Sequence, residues 1–569
     1  MDNYWTRVQT GRLSRRRVLA GAGAAGVGAA GLALVGCGDD DDAASPTAAS
    51  GSPGASGSPS AAASPTGEQP VKGGTLRRTT WLNVLGIDPH TEVSVGLFMV
   101  SGVYNYLHVV NSADQKAQLV DSASVEQPSP TEFIFKLKPG IKLQNIAPVN
   151  GRELVSEDVK YSKERFRDLP KAQNNDFYKT IVDKMETPDQ YTFKLTTKKP
   201  WAEAMNEMGN WQQAIVPREA VEKFTDLSAQ GIGGGPYIMK EYVKGEKTVL
   251  VKNPDYYNKN LPHLDGQTWT TILDQATLLA AYKAGQFDIG SGPYEGMGTA
   301  LNKLDFTDLQ KDSKMESFEV PGLSYGSLGL NASVKPFDDP RVRQAMWIGM
   351  DRKQFVDKIS LGSGQPQGVL SNGLAFWALS QEETKPYIGY DPKKAKDLLT
   401  AAGYPDGFSF DIDTSNGVPA YIDHAELIAA ELKKIGITAN LKVGDLPTFL
   451  SEKLFKANFN AVVFTHNPYE TPKVPLGFYH KNGLGTFSWW HYDNQKVTDA
   501  IDATNGEVDL QKRQKLVKDA QKLILEDAAP LINMYTRPLF QSYYKRVGGF
   551  DPKGRTSIYW KYGEYLKPS

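Results

Sequence analysis

Residues 231–237 read Gly-Ile-Gly-Gly-Gly-Pro-Tyr, and no other stretch constrains the fold of this chain as tightly. Glycine tolerates positive φ and close backbone contact, and proline removes an N–H, so no helix passes through this run. Beyond it, residues 237–243 form a strand pattern, Lys244-Gly245 a turn, and residues 248–252 the return strand of a hairpin. Asn253-Pro254-Asp255 is loop chemistry. Residues 269–273 are rich in β-formers, residues 275–284 read as a helix that Gly285 ends, and Phe287-Asp288-Ile289 starts one more buried strand.

The remainder of the folded part repeats this mixture. Strands are expected at 76–83, 133–137 and 190–195, and helices at 93–107 and 156–166. Later, Asp339 caps a helix with Pro340 at its first position, and Asp351 with Gln354 starts a second that Gly362 closes. Asp391-Pro392 opens a third helix ended by Gly403, and residues 421–434 a fourth ended by Gly436, before a strand at 437–443. Residues 530–535 read as a buried strand. Helices alternating with strands imply an α/β architecture.

At 569 residues the chain has room for two or more domains. Its 64 basic residues balance 65 acidic ones, so no global field favours nucleic acid. Cys37 is the single cysteine, which rules out an intrachain disulfide and a Cys-ligated metal site.

The N-terminus reads as an address. Ser14-Arg15-Arg16-Arg17-Val18-Leu19 resembles a twin-arginine export signal. The uncharged run 18–36 has 19 residues, 13 of them Gly or Ala, long enough to span a bilayer, which takes about 17–25. Its six glycines make a poor permanent span, and Leu34-Val35-Gly36-Cys37 resembles a lipobox. A lipoprotein signal peptide over 1–36, cleavage before Cys37 and a lipid on its thiol are therefore expected, giving a membrane-anchored exported protein. Residues 37–71, acidic and then rich in Ala, Ser, Pro, Thr and Gly, are expected to be a disordered tether.

Three segments in order, GGGPY, VLVKNPDYY and LLAAYKAGQFDI, together with KGGTL at 72–76 and NASVKPFDDPRVRQA at 331–345, carry a resemblance. They resemble the extracellular solute-binding proteins of the peptide/nickel ABC-importer family. The resemblance implies a two-lobed periplasmic-binding-protein fold of the large peptide-binding type. Residues 72–110, 211–325 and 530–569 would form the first lobe, 111–210 a small extra domain packed on it, and 326–529 the second lobe. It further implies a monomeric receptor without cofactor, not an enzyme, that delivers a peptide or oligosaccharide to an ABC permease. Lobe crossings are expected near residues 326 and 529.

Gly322-Leu-Ser324-Tyr-Gly326 matches a nucleophile-elbow pattern, but the residues after it look extended where that motif needs a helix. A secreted hydrolase is thus the weaker reading, as is a signalling receptor on the same fold. His466, His480 and His491 fit no metal-ligand spacing, so a nickel complex is an alternative without a motif. Residues 464–492 hold eight aromatics, where 10% composition predicts about three. With Phe376 and Trp377, the residues Tyr479, Trp489 and Trp490 are expected to line a ligand cleft, about half of the aromatic run being core. Peptide-binding relatives hold an α-ammonium with an aspartate where Asn467 falls here, leaving Glu470 the nearest carboxylate. A basic residue that relatives use for a terminal carboxylate is missing from 359–384. Asn467 and the stacking aromatics favour a neutral sugar over a dipeptide, and Glu470 becomes the ammonium anchor if a peptide binds.

Overall fold

The computed structural model describes residues 69–568 apart from 81–85, 92–98, 112–114, 173–174, 226, 228–229, 290–302, 321, 467–468, 484–488 and 551–561. Cys37, the export signal, the tether and Asn467 lie outside the described residues.

In the first lobe, Thr75–Thr80 runs parallel to Gly266–Thr271, which pairs antiparallel with Lys247–Lys252 and through it with Tyr237–Val243. The hairpin turns where expected, with Gly245 at φ 77°. The glycine run before it serves close approach. A Cβ on Gly233 would lie 2.4 Å from the Val103 carbonyl oxygen, and one on Gly235 2.4 Å from that of Gly102. Gly235 N–H donates to Val103 and Tyr237 N–H to Gly102, both at 3.0 Å, so the strand is held by its own backbone against residues 102–105.

A smaller antiparallel sheet, in the order Ser122–Ser129, Glu132–Leu137, Thr192–Thr197, Val182–Asp189, is covered by the helix Ser156–Asp168. Phe133, Phe135, Phe166 and Phe193 of this layer share one apolar core with Val103, Ile215 and Tyr237 of the first lobe.

The second lobe is built on a six-stranded sheet ordered Gln365–Pro366, Leu531–Thr536, Tyr325–Leu330, Ala461–Thr465, Ser409–Ser415, Thr438–Gly444. Its helices begin as read from the sequence. Asp339, Asp351 and Asp391 carboxylates accept backbone N–H bonds from Arg341, Lys353 and Lys394 at 2.8, 3.0 and 2.9 Å. Gly403 and Gly436, at φ 94° and 91°, follow the helices Pro392–Ala401 and Pro419–Lys433.

One boundary differs from expectation. Leu531–Thr536, assigned above to the first lobe, is a strand of the second-lobe sheet, flanked by Tyr325–Leu330 and Gln365–Pro366. All six of its residues are buried, because layers cover both faces of a central strand. The chain returns to the first lobe only with Leu539–Tyr544, which pairs antiparallel with Met315–Val320.

The central strand Tyr325–Leu330 is packed without slack. A Cβ on Gly329 would stand 2.0 Å from Cζ3 of Trp490. Gly329→Ala therefore overpacks the core and should lower stability by about 1–3 kcal/mol, read as an earlier midpoint in denaturant with unchanged slope.

Candidate ligand cleft

The two crossings run side by side. On the first-lobe side Val320 pairs with Leu539, and on the second-lobe side Tyr325 pairs with Thr536. Two antiparallel ladders thus end against each other across a few residues, which is the arrangement of a hinge. The apolar cores stay separate: the second-lobe cluster runs from Leu328 to Tyr535 and shares no member with the first-lobe clusters. A cleft between two such bodies can open without breaking a core.

Beside the hinge the aromatic run divides in two. Tyr479 is 1% exposed; its hydroxyl donates to the Leu531 carbonyl and accepts from Asn533 Nδ2, both at 3.2 Å. Trp490, also 1% exposed, lies nearly parallel to Phe464 at 5.8 Å and covers Gly329. Trp377 is fully buried, with the Arg513 guanidinium 4.8 Å from its ring centre and its carbonyl accepting from Gln521 Nε2 at 2.8 Å. These three, expected as cleft wall, are core residues of the second lobe, because their ring faces are already occupied.

Phe376, Glu470 and Trp489 are only partly buried. Phe376 meets Trp377 edge to face at 4.8 Å. Trp489 touches Trp490 at 5.8 Å, Phe478 at 6.1 Å and the exposed Phe455 at 5.7 Å, so it joins the buried aromatics to the surface.

His466, which fits no metal-ligand spacing in the sequence, occupies a distinct place in the fold. It is buried, with its ring stacked on Tyr325 at 4.4 Å and bordered by Phe464 and Phe478 at 4.5 and 4.7 Å. Among the described residues neither ring nitrogen has a hydrogen-bond partner, and its backbone N–H donates to the Tyr325 carbonyl at 2.8 Å. Burial pushes its pKa down to about 3. His424, stacked on Tyr535 at 5.6 Å, is pushed down to about 4, again by burial first. The signal available in the sequence was the strand 461–465 directly before His466, whose apolar character extends burial one residue further.

The other candidate chemistries find no geometry. Ser324 is followed by the strand Tyr325–Leu330 rather than by a helix. His480 Nε2 faces Asp502 at 3.4 Å, and among the described residues no group of three His, Cys, Asp or Glu could hold a metal ion. No helix of the described residues is long and apolar enough to cross a membrane.

The sequence profile of bacterial extracellular solute-binding proteins, family 5 (middle region), matches residues 115–486, a span that runs through the small sheet, the hinge and most of the second lobe. The chain belongs to this family. A similar family protein is the glutathione-binding protein GsiB of Salmonella typhi, 27% identical over 437 residues that cover 74% of this chain and 80% of GsiB. Among solved structures, the ABC transporter-associated periplasmic binding protein DppA from Helicobacter pylori, in complex with the peptide STSA, superimposes with a TM-score of 0.71. It is 22% identical, with 88% of this chain and 99% of DppA covered. The binding protein AgaA from A. tumefaciens R10, in complex with agropinic acid, gives a TM-score of 0.70 at 25% identity, covering 87% of this chain and 99% of AgaA. The family 5 fold accounts for the two lobes and the hinge; the aromatic packing around His466 is written in this chain's own residues.

Burial of four histidines predicts an acid response. His90, His108, His424 and His466 are all pushed down, to about 3, 4, 4 and 3, by burial first. An unfolded histidine titrates near 6.5, so between about pH 6.5 and pH 4 the unfolded chain binds protons that the folded one refuses. Stability should therefore fall as pH drops through that window. His466→Phe should flatten the fall by about one proton, or about 1.4 kcal/mol per pH unit. Denaturant unfolding at pH 7, 6 and 5 checks this, and an unchanged slope in the variant contradicts it.

Proposed function

We propose that this protein is an extracytoplasmic receptor that captures a short peptide or peptide-like ligand between its lobes and presents it to an ABC permease. Two separate cores joined by paired strands carry this reading, since such bodies can close on a ligand at little internal cost. The ligand class is supported by the names of similar proteins, which bind glutathione, the peptide STSA and agropinic acid. All three ligands carry carboxylates, and their binding proteins share this family or fold. The protein itself does no chemistry on the ligand.

Phe376, Glu470 and Trp489 are proposed as second-lobe ligand contacts, with Asn467 beside them in sequence. Partial burial leaves these side chains surface to offer, whereas Trp377, Tyr479 and Trp490 support them from behind. Glu470 would hold a ligand ammonium. Asn467 is the observation that favours a second reading, a neutral oligosaccharide, because an amide supplies hydrogen bonds but no full charge.

Calorimetry against glutathione, mixed tetrapeptides and cello-oligosaccharides separates the two readings. The peptide reading expects binding to one of the first two, weakened by Glu470→Gln, and a smaller radius of gyration at saturation. Trp489→Ala should cost about 2 kcal/mol, some thirtyfold in affinity, if it anchors the ligand. Binding of the sugars alone would transfer the assignment to the second reading, and an unchanged radius under saturation would remove lobe closure.

The anchor is proposed on the sequence around Cys37. Cys37→Ala should shift the protein from the membrane to the soluble fraction or leave it unprocessed; a variant that fractionates and migrates like the wild type contradicts the lipid.

A further inference from the structure

Tyr325, Thr465 and Thr536 mark one edge of the second-lobe sheet. Ala461–Thr465 and Ser409–Ser415 run parallel and end there, Leu531–Thr536 ends there too, and Tyr325–Leu330 begins there. Both crossings to the first lobe leave from this edge, at Tyr325 and Thr536. In open α/β sheets, ligands bind in the crevice outside the carboxyl ends of the strands. His466 is the first residue beyond Ala461–Thr465, and its backbone is tied to Tyr325 across the ladder.

Aromatic rings hold its side chain. Tyr325 stacks on the imidazole, Phe464 and Phe478 border it, and the partly buried Tyr469 stands edge-on at 6.4 Å. Such rings satisfy the faces of the imidazole but not its two nitrogens, one of which donates and the other accepts in the neutral form. At 3% exposure, with neither nitrogen paired among the described residues, this is a costly residue to bury. A phenylalanine would fill the same cage without that cost. His424, on the neighbouring helix, shows the ordinary arrangement. Its Nδ1–H donates to the Ala420 carbonyl, and its ring edge is packed on Gly326, where a Cβ would come within 2.4 Å of it.

The surroundings of His466 select what it can take. None of its four ring neighbours is charged, and burial keeps the imidazole neutral down to about pH 3. A bare ammonium or carboxylate brought here would lose its water and meet no counter-charge. An uncharged O–H or N–H group exchanges one hydrogen bond to water for one to the ring. We propose that His466 is a specificity-determining ligand contact, pairing through a ring nitrogen with an uncharged hydroxyl or amide of a ligand that reaches it past Tyr469. Phe478 lies between the two contacts, 4.7 Å from His466 and 6.1 Å from Trp489, so one aromatic cluster supports both. The assignment rests on the reading of the protein as a receptor that takes its ligand between two lobes.

Calorimetry of the full chain and its variants against glutathione, mixed tetrapeptides and cello-oligosaccharides tests it, with small-angle scattering on the same samples. The probe that binds the wild type should bind His466→Phe about tenfold more weakly, the effect of one lost hydrogen bond. His466→Gln, which keeps a donor and an acceptor, should recover part of that loss. A loss confined to cello-oligosaccharides assigns a hydroxyl, and one confined to tetrapeptides or glutathione an amide. Undiminished affinity in His466→Phe overturns the contact. If that variant does not fold, a crystal structure of the wild type with the bound probe decides. An uncharged ligand atom about 2.7–3.2 Å from a ring nitrogen supports the contact, and a water or protein group in that place overturns it. A probe that contracts the radius of gyration but bypasses His466 removes this contact and keeps the receptor. If no probe binds the wild type, the contact and the ligand class fall together.

Discussion

The pairing of Tyr325 with Thr536 and of Val320 with Leu539 is the constraint on which the rest of the molecule depends. Each ladder ends its own lobe, so the chain crosses twice at one place and both crossings lie on one axis. Because the crossings are adjacent, a change in a few dihedrals between them swings whole bodies, and neither sheet has to deform. Both ladders are also deeply anchored: Leu328 and Leu330 are in the second-lobe core, and Phe540 and Met315 in a first-lobe one. A rigid body on each side concentrates motion in the gap.

The aromatic groups beside that axis show why abundance is a weak guide to function. Eight aromatics in 29 residues suggested a wall, yet Trp490 fills the space that Gly329 leaves and Tyr479 ties Asn533 to Leu531. Large rings serve a core well because each covers much apolar area with few rotors. At the margin of this cluster, Trp489 and Phe376 are partly buried rings supported from behind by buried neighbours, and it is there that ligand contacts are proposed. A supported aromatic loses little freedom when something stacks on it, which is the condition for an anchor.

Local features were legible in the sequence and distant ones were not, for a physical reason. A cap such as Asp339 on the Arg341 N–H, or a stop such as Gly436, is decided by residues within a turn of each other. The run Leu-Ile-Asn-Met-Tyr-Thr at 531–536 announced a buried strand but not which sheet would bury it, because a central strand carries the same pattern in either lobe. The glycine run 231–235 signalled special backbone, while its cause, the carbonyls of Gly102 and Val103, lies 130 residues earlier. Glu203 and Arg513 are separated by 310 residues, and each reads locally as an ordinary solvated helix charge. His466 escaped for a related reason: a single polar residue at a strand end is exposed or caged according to what the opposite strand brings, and here it brings Tyr325.

The balance of terms at the seam where Glu203 meets Arg513 and Glu207 meets Lys473 bears on how such a receptor works. If the empty protein spent nearly all its time closed, only the open fraction could admit ligand, and apparent affinity would drop by that fraction. If it spent nearly all its time open, ligand contacts alone would have to supply about 5.5 kcal/mol to move a 1:99 population to 99:1. An apolar seam the size of residues 201–207 would favour the first extreme, since buried hydrocarbon has no competing attraction to water. Charges compete for water at every opening, so the Glu203–Arg513 and Glu207–Lys473 pairs add little net bias while still specifying how the lobes meet. With those pairs near balance, the contacts that a ligand makes to both lobes decide how long the closed state lasts.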